Sequence, residues 1–199
     1  MMILTRNWVR SSFLFCQNYF LVNRKWSNFN CIITDRFIGK EKIRIDKDHY
    51  YDIYDEINEK NKFCAELSDG SLVTFEYHFN TDGSIEKFCI SFLPNPLSET
   101  LFKDPSIENI IALYFRVDYT EEGHNGILHS LIHFHNSVER DGLRIGVKES
   151  IYPSKFIYDI KTHILGIDIE KIKPLWLYIQ NLASLDAKNP DPLIMQLSF

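Results

Sequence analysis

Apolar and polar residues alternate most clearly between positions 72 and 79, where every odd position holds Val, Phe or Tyr. Polar side chains, those of Thr74, Glu76 and His78, fill even positions between them. A period of two places successive side chains on opposite sides of a β-strand. The pattern therefore predicts a strand over 72–79 with one apolar face that packs on a core.

Turn sequences bound this strand and connect it to two neighbours. Asp69-Gly70 precedes the strand, and Thr81-Asp82-Gly83 follows it. An Asp-Gly pair between two apolar runs is a strong signal for a tight hairpin turn. Together with the apolar runs at 63–67 and 85–93, these turns predict an antiparallel meander that is apolar on one side and polar on the other.

Further strands are predicted after Pro94-Asn95-Pro96, a sequence that cannot continue a central strand. They cover 110–119, 128–136 and 143–148. Before the meander, residues 32–45 hold shorter β-like runs, and residues 49–59 form a short helical or irregular bridge.

Apolar residues recur with helical spacing near both ends of the chain. Helices are predicted over 4–22, 153–164 and 169–187. The second begins at Pro153, a residue that favours the first helical position, and the third is interrupted at Pro174.

These elements predict a single α+β domain over residues 1–199. It comprises an N-terminal helix and irregular segment (1–60), a mostly antiparallel, bent sheet of about six or seven strands (61–148), and two C-terminal helices (149–199). The predicted core consists of Val73, Phe75, Tyr77, Phe88, Ile90, Phe92, Leu113, Phe115, Ile132, Phe134, Ile145, Phe156 and Ile160.

The polar faces of the last three predicted strands carry the side chains with the most chemistry. The set comprises Arg116 and Asp118 from the first strand, His129, His133 and His135 from the second, and Arg144 from the third. Strands that follow each other in sequence are usually neighbours in a sheet. We therefore expect these side chains to gather on one patch.

Two kinds of catalysis suit this patch. In the first, His133, His135 and Asp118 bind a divalent metal and leave one coordination position open for water. In the second, the histidines exchange protons with a substrate, while Arg116 and Arg144 hold a phosphate, as phosphodiester cleavage would require. The catalytic candidates are His129, His133, His135 and Asp118.

Two other interpretations of the patch need no catalysis. The arginines and protonatable histidines could serve only to bind an anion or an acidic partner. Alternatively, the patch is simply the solvated side of a sheet, or it packs on a helix through satisfied hydrogen bonds. His49, His78 and His163 are interpreted as ordinary residues.

Charge is distributed unevenly along the chain, whose net charge is −5. Residues 1–40 contain six basic residues and one acidic residue, a net of +5, so the remainder carries −10. A dedicated nucleic-acid binder is usually basic overall. The split predicts instead that the basic N-terminal segment makes an electrostatic contact with a partner, a phosphate backbone or the chain's own body.

Several other functions lack their sequence signatures. The four cysteines form no C-x-x-C pair, which argues against a zinc ribbon and favours the reduced thiols of a cytosolic protein. No apolar run is long enough to span a bilayer. A Gly-rich phosphate loop and a G-x-S-x-G nucleophile turn are also absent from the sequence.

An ordered series of short motifs runs through the middle of the chain. It comprises Leu67-Ser68-Asp69-Gly70-Ser71-Leu72, Phe92-Leu93-Pro94-Asn95-Pro96, Phe115-Arg116-Val117-Asp118-Tyr119, His129-Ser130-Leu131-Ile132-His133-Phe134-His135, Leu143-Arg144-Ile145-Gly146-Val147 and Tyr152-Pro153. In this order and spacing the chain resembles a bacterial family catalogued as domain of unknown function 2290, over about 63–163. It departs from that family at Ser130 and Gly146, where the family has Pro, and neither change removes a reactive group.

The resemblance implies a bacterial, cytosolic protein whose gene accompanies mobile and phage-defence genes, and it brings no established activity or cofactor. The first hypothesis is a binding or regulatory component of a phage-defence or mobile-element cassette. It would act on a protein partner and contact nucleic acid through the basic N-terminal segment. The alternative is a His-dependent phosphodiesterase or nuclease, with a divalent metal as candidate cofactor. Neither hypothesis involves a membrane.

Overall fold

The computed structural model describes residues 6–19, 32–34, 36–40, 45–46, 48–99, 101–103, 106–120, 132–135 and 144–146. The chain divides into two compact units, one of residues 1–22 and 149–199 and the other of residues 23–148. A single domain over 1–199 stays a prediction, and the two C-terminal helices fall outside the described residues. Within the described ranges, no helix is long and apolar enough to cross a membrane.

Helix α1 (Arg6–Tyr19) belongs to the first unit. Trp8, Val9 and Phe13 are buried on it together with Ser12, whereas Arg10 is exposed. This spacing is the apolar stripe of an amphipathic helix. The predicted N-terminal helix is confirmed over the described part, 6–19, of its predicted range 4–22.

The second unit is built on one antiparallel sheet, which has eight strands among the described residues. The strands are β1 (Ile32–Ile33), β2 (Phe37–Gly39), β3 (Ala65–Glu66), β4 (Leu72–Phe79), β5 (Ile85–Leu93), β6 (Phe115–Thr120), β7 (Ile132–His135) and β8 (Arg144–Gly146). Their order across the sheet is β1-β2-β4-β5-β6-β7-β8, and β3 also pairs with β4. The predicted α+β class is confirmed, as is the side-by-side order of the later strands.

Strands β4 and β5 have the bounds that alternation predicts, because local turn chemistry determines where each strand ends. Gly70 and Gly83 have φ values of 85° and 83°, a region that glycine enters without steric cost. The Asp69 carboxylate accepts the backbone N–H of Ser71 at 3.1 Å, which stabilises the first turn from within.

The predicted strand over 110–119 is wrong in its first half. Residues Ile107–Leu113 form helix α3, and strand β6 begins only at Phe115. The Ser106 side chain caps the helix by accepting the backbone N–H of Asn109 at 3.2 Å. Periodicity alone cannot assign a short apolar run, and here the capping residue and burial of Ile110 decide for the helix.

Helices α2 (Tyr50–Glu59) and α3 pack against one end of the sheet. Their shared core cluster consists of Tyr50, Tyr54, Ile57, Phe63, Leu72, Leu93, Phe102, Ile110, Ile111 and Tyr114. The Tyr50 hydroxyl donates to the carbonyl oxygen of Pro94 at 2.8 Å, and the Tyr54 hydroxyl donates to that of Gly70. Helix α2 is thereby attached to the loops at this end of β4 and β5.

Most of the predicted core residues with described side chains are buried. They are Val73, Phe75, Tyr77, Phe88, Ile90, Phe92 and Ile132. Leu113 and Phe115 are only half-buried, the former because it ends a helix instead of lying in a strand. The side chains of Phe134, Ile145, Phe156 and Ile160 lie outside the described part of the structure.

Candidate functional site

The strand register aligns the polar positions of five neighbouring strands, from β4 to β8. One row holds Thr74, Ser91, Arg116, His135 and Arg144, and the next holds Glu76, Cys89, Asp118, His133 and Gly146. Because residues two apart on a strand share a face, both rows lie on the side opposite Phe75, Ile90 and Val117. We call this side of the sheet the charged face.

Three residues of the charged face form an ion cluster, which consists of Arg116, Asp118 and His135. Asp118 Oδ2 lies 2.8 Å from Nε of Arg116 and 3.3 Å from Nε2 of His135. Arg116 and Asp118 are two residues apart on β6, and His135 lies directly opposite Arg116 on β7. The pairing of β6 with β7 therefore brings a guanidinium, a carboxylate and an imidazole together.

The ion cluster is largely withdrawn from water. The side chains of Arg116, Asp118 and His135 are 23%, 13% and 8% exposed. Burial by itself lowers the pKa of Arg116, but the charge of Asp118, its hydrogen bond and smaller contributions from Tyr114 and Cys89 together outweigh burial, and the pKa is raised. Arg116 thus stays cationic, and Asp118 supplies the compensating charge that a buried cation needs.

Tyr114 lies beside the ion cluster, in the single position between α3 and β6. Its side chain is buried, and this burial raises the pKa of the phenol to about 12. The Arg116 charge and a hydrogen bond with Ser91 act in the opposite direction. Ser91 is the direct neighbour of Arg116 across β5 and β6, so α3 places a phenol next to the charged row.

Helices α2 and α3 cover one end of the charged face. Leu72 and Leu93 lie on this face, two positions from Thr74 and Ser91, and both belong to the core cluster of the two helices. Thr74 and Ser91 are only 4% and 6% exposed as a result. Helix packing therefore buries Thr74 and Ser91 at this end of the charged face. Whether the predicted patch itself is solvated or packs on a helix stays a prediction.

The structure brings together three of the predicted site residues, Arg116, Asp118 and His135. His133 lies opposite Asp118, and Arg144 lies opposite His135, but their side chains lie outside the described part. His129 lies outside the described residues altogether. The strands that carry the predicted patch are thus neighbours, while the catalytic and substrate-binding roles stay predictions.

A metal site on this patch also stays a prediction. Among the side chains that the structure describes, no group of three or more His, Cys, Asp or Glu residues is arranged to hold a metal ion. The predicted ligand set includes His133, which is not among them. The other two ligands, Asp118 and His135, contact each other in the way that a carboxylate orients an imidazole.

Sequence reasoning missed a second carboxylate–imidazole pair on the charged face. Nε2 of His78 lies 2.7 Å from Oε1 of Glu76 on β4. Their spacing of two residues on a clearly alternating strand is the signal that identifies this pair. The sequence held no comparable signal for Tyr114, because its pattern predicted a strand over 110–119, whereas Tyr114 lies at the end of α3.

A family model described as "Uncharacterized conserved protein (DUF2290)" matches residues 15–164 of the chain. This range includes all the strands of the sheet and the ion cluster. No curated protein and no solved structure matches the chain.

Proposed function

We propose that this chain, which belongs to the DUF2290 family of uncharacterized conserved proteins, is a binding or regulatory component of a bacterial phage-defence or mobile-element cassette. The cassette setting follows from the family resemblance. In this proposal the protein acts in the bacterial cytoplasm and binds a protein partner by electrostatic contact. Nucleic acid is a second ligand of the basic N-terminal segment.

The self-contained ion cluster is the observation that carries this proposal. Asp118 Oδ2 contacts both Arg116 and His135, at 2.8 and 3.3 Å. A general base or a metal ligand has to reach a substrate or an ion. Nε2 of His135 instead faces a carboxylate, and its side chain is 8% exposed. These features favour a structural role for the ion cluster, in a rigid sheet that binds a partner, over a catalytic role.

The split charge supports an electrostatic contact with a partner. Arg10 and Arg36 are exposed, and both belong to the segment 1–40 with its net charge of +5. The remainder of the chain carries −10, so the two parts favour partners of opposite sign. Exposed cations on a protein that is acidic overall are suited to local electrostatic contacts.

Native affinity purification of the full chain from bacterial cytoplasm tests this proposal. A variant with Arg10→Glu and Arg36→Glu reverses the exposed basic charges and should lose a stoichiometric partner that the native chain retains. The matched control, Lys60→Glu with Lys62→Glu, reverses two exposed charges after α2 and should keep the partner. A native chain without any stoichiometric partner, or equal loss in both variants, contradicts the proposal.

The second candidate function is a His-dependent phosphodiesterase or nuclease, with or without a divalent metal. The contact between Asp118 Oδ2 and His135 Nε2 favours it, because a carboxylate that orients an imidazole recurs in acid–base and metal sites. Arg116 and Arg144 would hold the phosphate, and His129 and His133 would complete the set of catalytic or ligand groups.

Metal content of the purified protein, measured by mass spectrometry, tests the metal-dependent form of this candidate. Stoichiometric zinc, manganese or iron that a His133→Ala/His135→Ala variant loses would support a metallohydrolase. His49→Ala, at an exposed histidine, is the control and should keep the metal. No metal in the native chain, with all three proteins folded, removes the metal-dependent form.

A further inference from the structure

The pair of Glu76 and His78 lies at the more open end of the charged face. The His78 side chain is 28% exposed, whereas that of His135 in the ion cluster is 8% exposed. Glu76 is 13% exposed, so its side chain is more buried than the imidazole that it contacts. Nε2 of His78 contacts Glu76 at 2.7 Å, and among the described residues no hydrogen bond engages the other ring nitrogen, Nδ1, which can therefore meet a further ligand.

The register places three more residues in one row with His78. Phe37 lies opposite it on β2, Lys87 lies opposite it on β5, and Thr120 of β6 lies opposite Lys87. Lys87 is exposed, and Phe37 and Thr120 are half-buried. Because neighbouring strands are ~4.8 Å apart, the backbone positions of His78 and Thr120 are separated by about 10 Å, with Lys87 between them.

Phe37 and a β-bulge restrict how His78 can be approached. The Phe37 ring lies against the imidazole with a centroid distance of 4.9 Å and covers one side of it. Between His78 and Phe79 the register shifts, because Phe79 pairs with Ile85 while His78 pairs with Lys87. Bulges increase the local twist, re-aim side chains and are frequent beside binding sites. A ligand therefore meets the imidazole from the side of Lys87.

We propose that His78, Lys87 and Thr120 form a binding site for a phosphate group, with Glu76 holding the imidazole in place. The Lys87 ammonium supplies the charge that a phosphate requires, and the Thr120 hydroxyl adds a polar contact. Nδ1 of His78 accepts a hydrogen bond from the P–OH group of hydrogen phosphate or, when the ring is protonated, donates one to a phosphate oxygen. The site uses no residue of the ion cluster and neither of the two arginines that the partner test reverses.

The phosphate could be free inorganic phosphate or a phosphodiester of single-stranded nucleic acid, and the experiment has one arm for each source. The ring signals of the histidines in the full chain are followed by NMR during titration with inorganic phosphate and, separately, with a short single-stranded DNA. We expect the His78 ring signals to shift in a saturable way in at least one arm. The signals of His49, an exposed histidine paired with Asp46, should stay in place.

Two substitutions separate a built site from general attraction of anions. Lys87→Gln should weaken the binding seen in the His78 ring signals about tenfold, as loss of a charge-assisted hydrogen bond to the ligand does. The control Lys103→Gln removes a different exposed lysine and should leave the dissociation constant unchanged. Lys87 is exposed, so the Lys87→Gln chain should fold.

The titration arms identify the phosphate source. Saturable binding in the phosphate arm assigns a free phosphate ligand, and binding in the DNA arm alone assigns a nucleic-acid backbone. Absence of a shift in both arms, equal shifts at His49, or unchanged binding in Lys87→Gln would overturn the proposal. None of these results bears on the partner purification, so the two proposals fail separately.

Discussion

Arg116 and His135 face each other across strands β6 and β7, and both side chains meet the same carboxylate oxygen of Asp118. One carboxylate therefore compensates a guanidinium and contacts an imidazole at once. Because the site is largely buried, the three groups depend on each other more than exposed ion pairs do. This dependence leads to the first prediction.

Asp118→Asn should destabilise the protein by about 3 kcal/mol, because it leaves the Arg116 cation buried without compensating charge. Arg116→Met in the same chain should recover much of this loss, since it removes that cation and keeps an apolar side chain of similar length. The free energy of unfolding in urea, measured for both single variants and the double variant, gives the coupling between the two residues.

The control for these variants is Glu56, whose exposed carboxylate pairs with Lys60 and Lys62. Glu56→Gln should leave the unfolding midpoint unchanged, because water solvates the two lysines when the carboxylate is gone. Equal effects of Asp118→Asn and Glu56→Gln would show that the buried cluster has no special dependence on Asp118.

Gly39→Ala should disrupt the pairing of β2 with β4. A Cβ at Gly39 would overlap the carbonyl oxygen of Phe75, and its φ of 119° is strained for any other residue. That oxygen also accepts the backbone N–H of Lys40 at 2.7 Å, so the strand cannot move away without losing the bond. We expect a large loss of stability, measured by thermal unfolding.

Gly83→Ala is the matched control for the substitution at Gly39. Gly83 has a similar positive φ, 83°, but an added Cβ would have no neighbour within 4 Å. Its cost should be only the backbone strain of about 1–2 kcal/mol. If the two alanine variants have the same melting temperature, the close approach to Phe75 does not explain why position 39 needs glycine.

Asn95→Ala should loosen the two loops that hold α2. The Asn95 amide donates to the carbonyl oxygen of Asp69 at 2.8 Å, and its side-chain oxygen accepts the backbone N–H of Leu97 at 2.9 Å. Loss of both bonds should cost about 2 kcal/mol. Hydrogen exchange of the Gly70 amide, which donates to Leu67, should also become faster.

Asn80→Ala is the control for Asn95→Ala. Asn80 is exposed, and among the described residues its side-chain amide donates only to the hydroxyl of Ser84. This substitution should cost much less and should leave exchange at Gly70 unchanged. Unchanged exchange in Asn95→Ala as well would mean that the loops do not depend on this amide.

Stability should fall above about pH 10, where tyrosines of the unfolded chain ionise. Burial keeps the Tyr114 phenol protonated to about pH 12, so its stabilising contribution is complete below the unfolded pKa and disappears as pH rises through the folded value. Burial also raises the pKa of Tyr50 and Tyr54, and both add to the same loss.

Tyr114→Phe should therefore make the decline shallower, by up to about 1.4 kcal/mol per pH unit between the two pKa values. Urea unfolding in steps from pH 8 upward measures this slope, and tyrosine absorbance follows ionisation in parallel. Identical slopes in the native chain and in Tyr114→Phe would contradict the role assigned to the buried phenol.

Strands β4 and β5 were predictable because the signals that define them are local. The alternation of residues 72–79 and the turn at Asp69-Gly70 act over a few residues, and each determines a strand end. The neighbour relation of β6, β7 and β8 also followed, because consecutive strands tend to pair. Arg116 and Asp118 were placed on one face by the same period of two.

Helix α3 was not predictable in the same way, because its apolar run of residues 110–113 fits a strand as well as a helix. The outcome depended on what Ile110 and Ile111 could pack against, namely α2 and the ends of β4 and β5. Tyr114 was misplaced for this reason, and its position beside Ser91 and Arg116 followed only from the folded helix.

The sequence by itself determined which residues share a strand face, since that depends only on backbone period. Tertiary structure decided which of these residues meet and which are withdrawn from water. The register of β6 and β7 brought His135 to Asp118. Helix packing buried Thr74 and Ser91 on a face whose sequence pattern is polar. Contact and burial depend on residues distant in sequence, and for that reason local patterns did not reveal them.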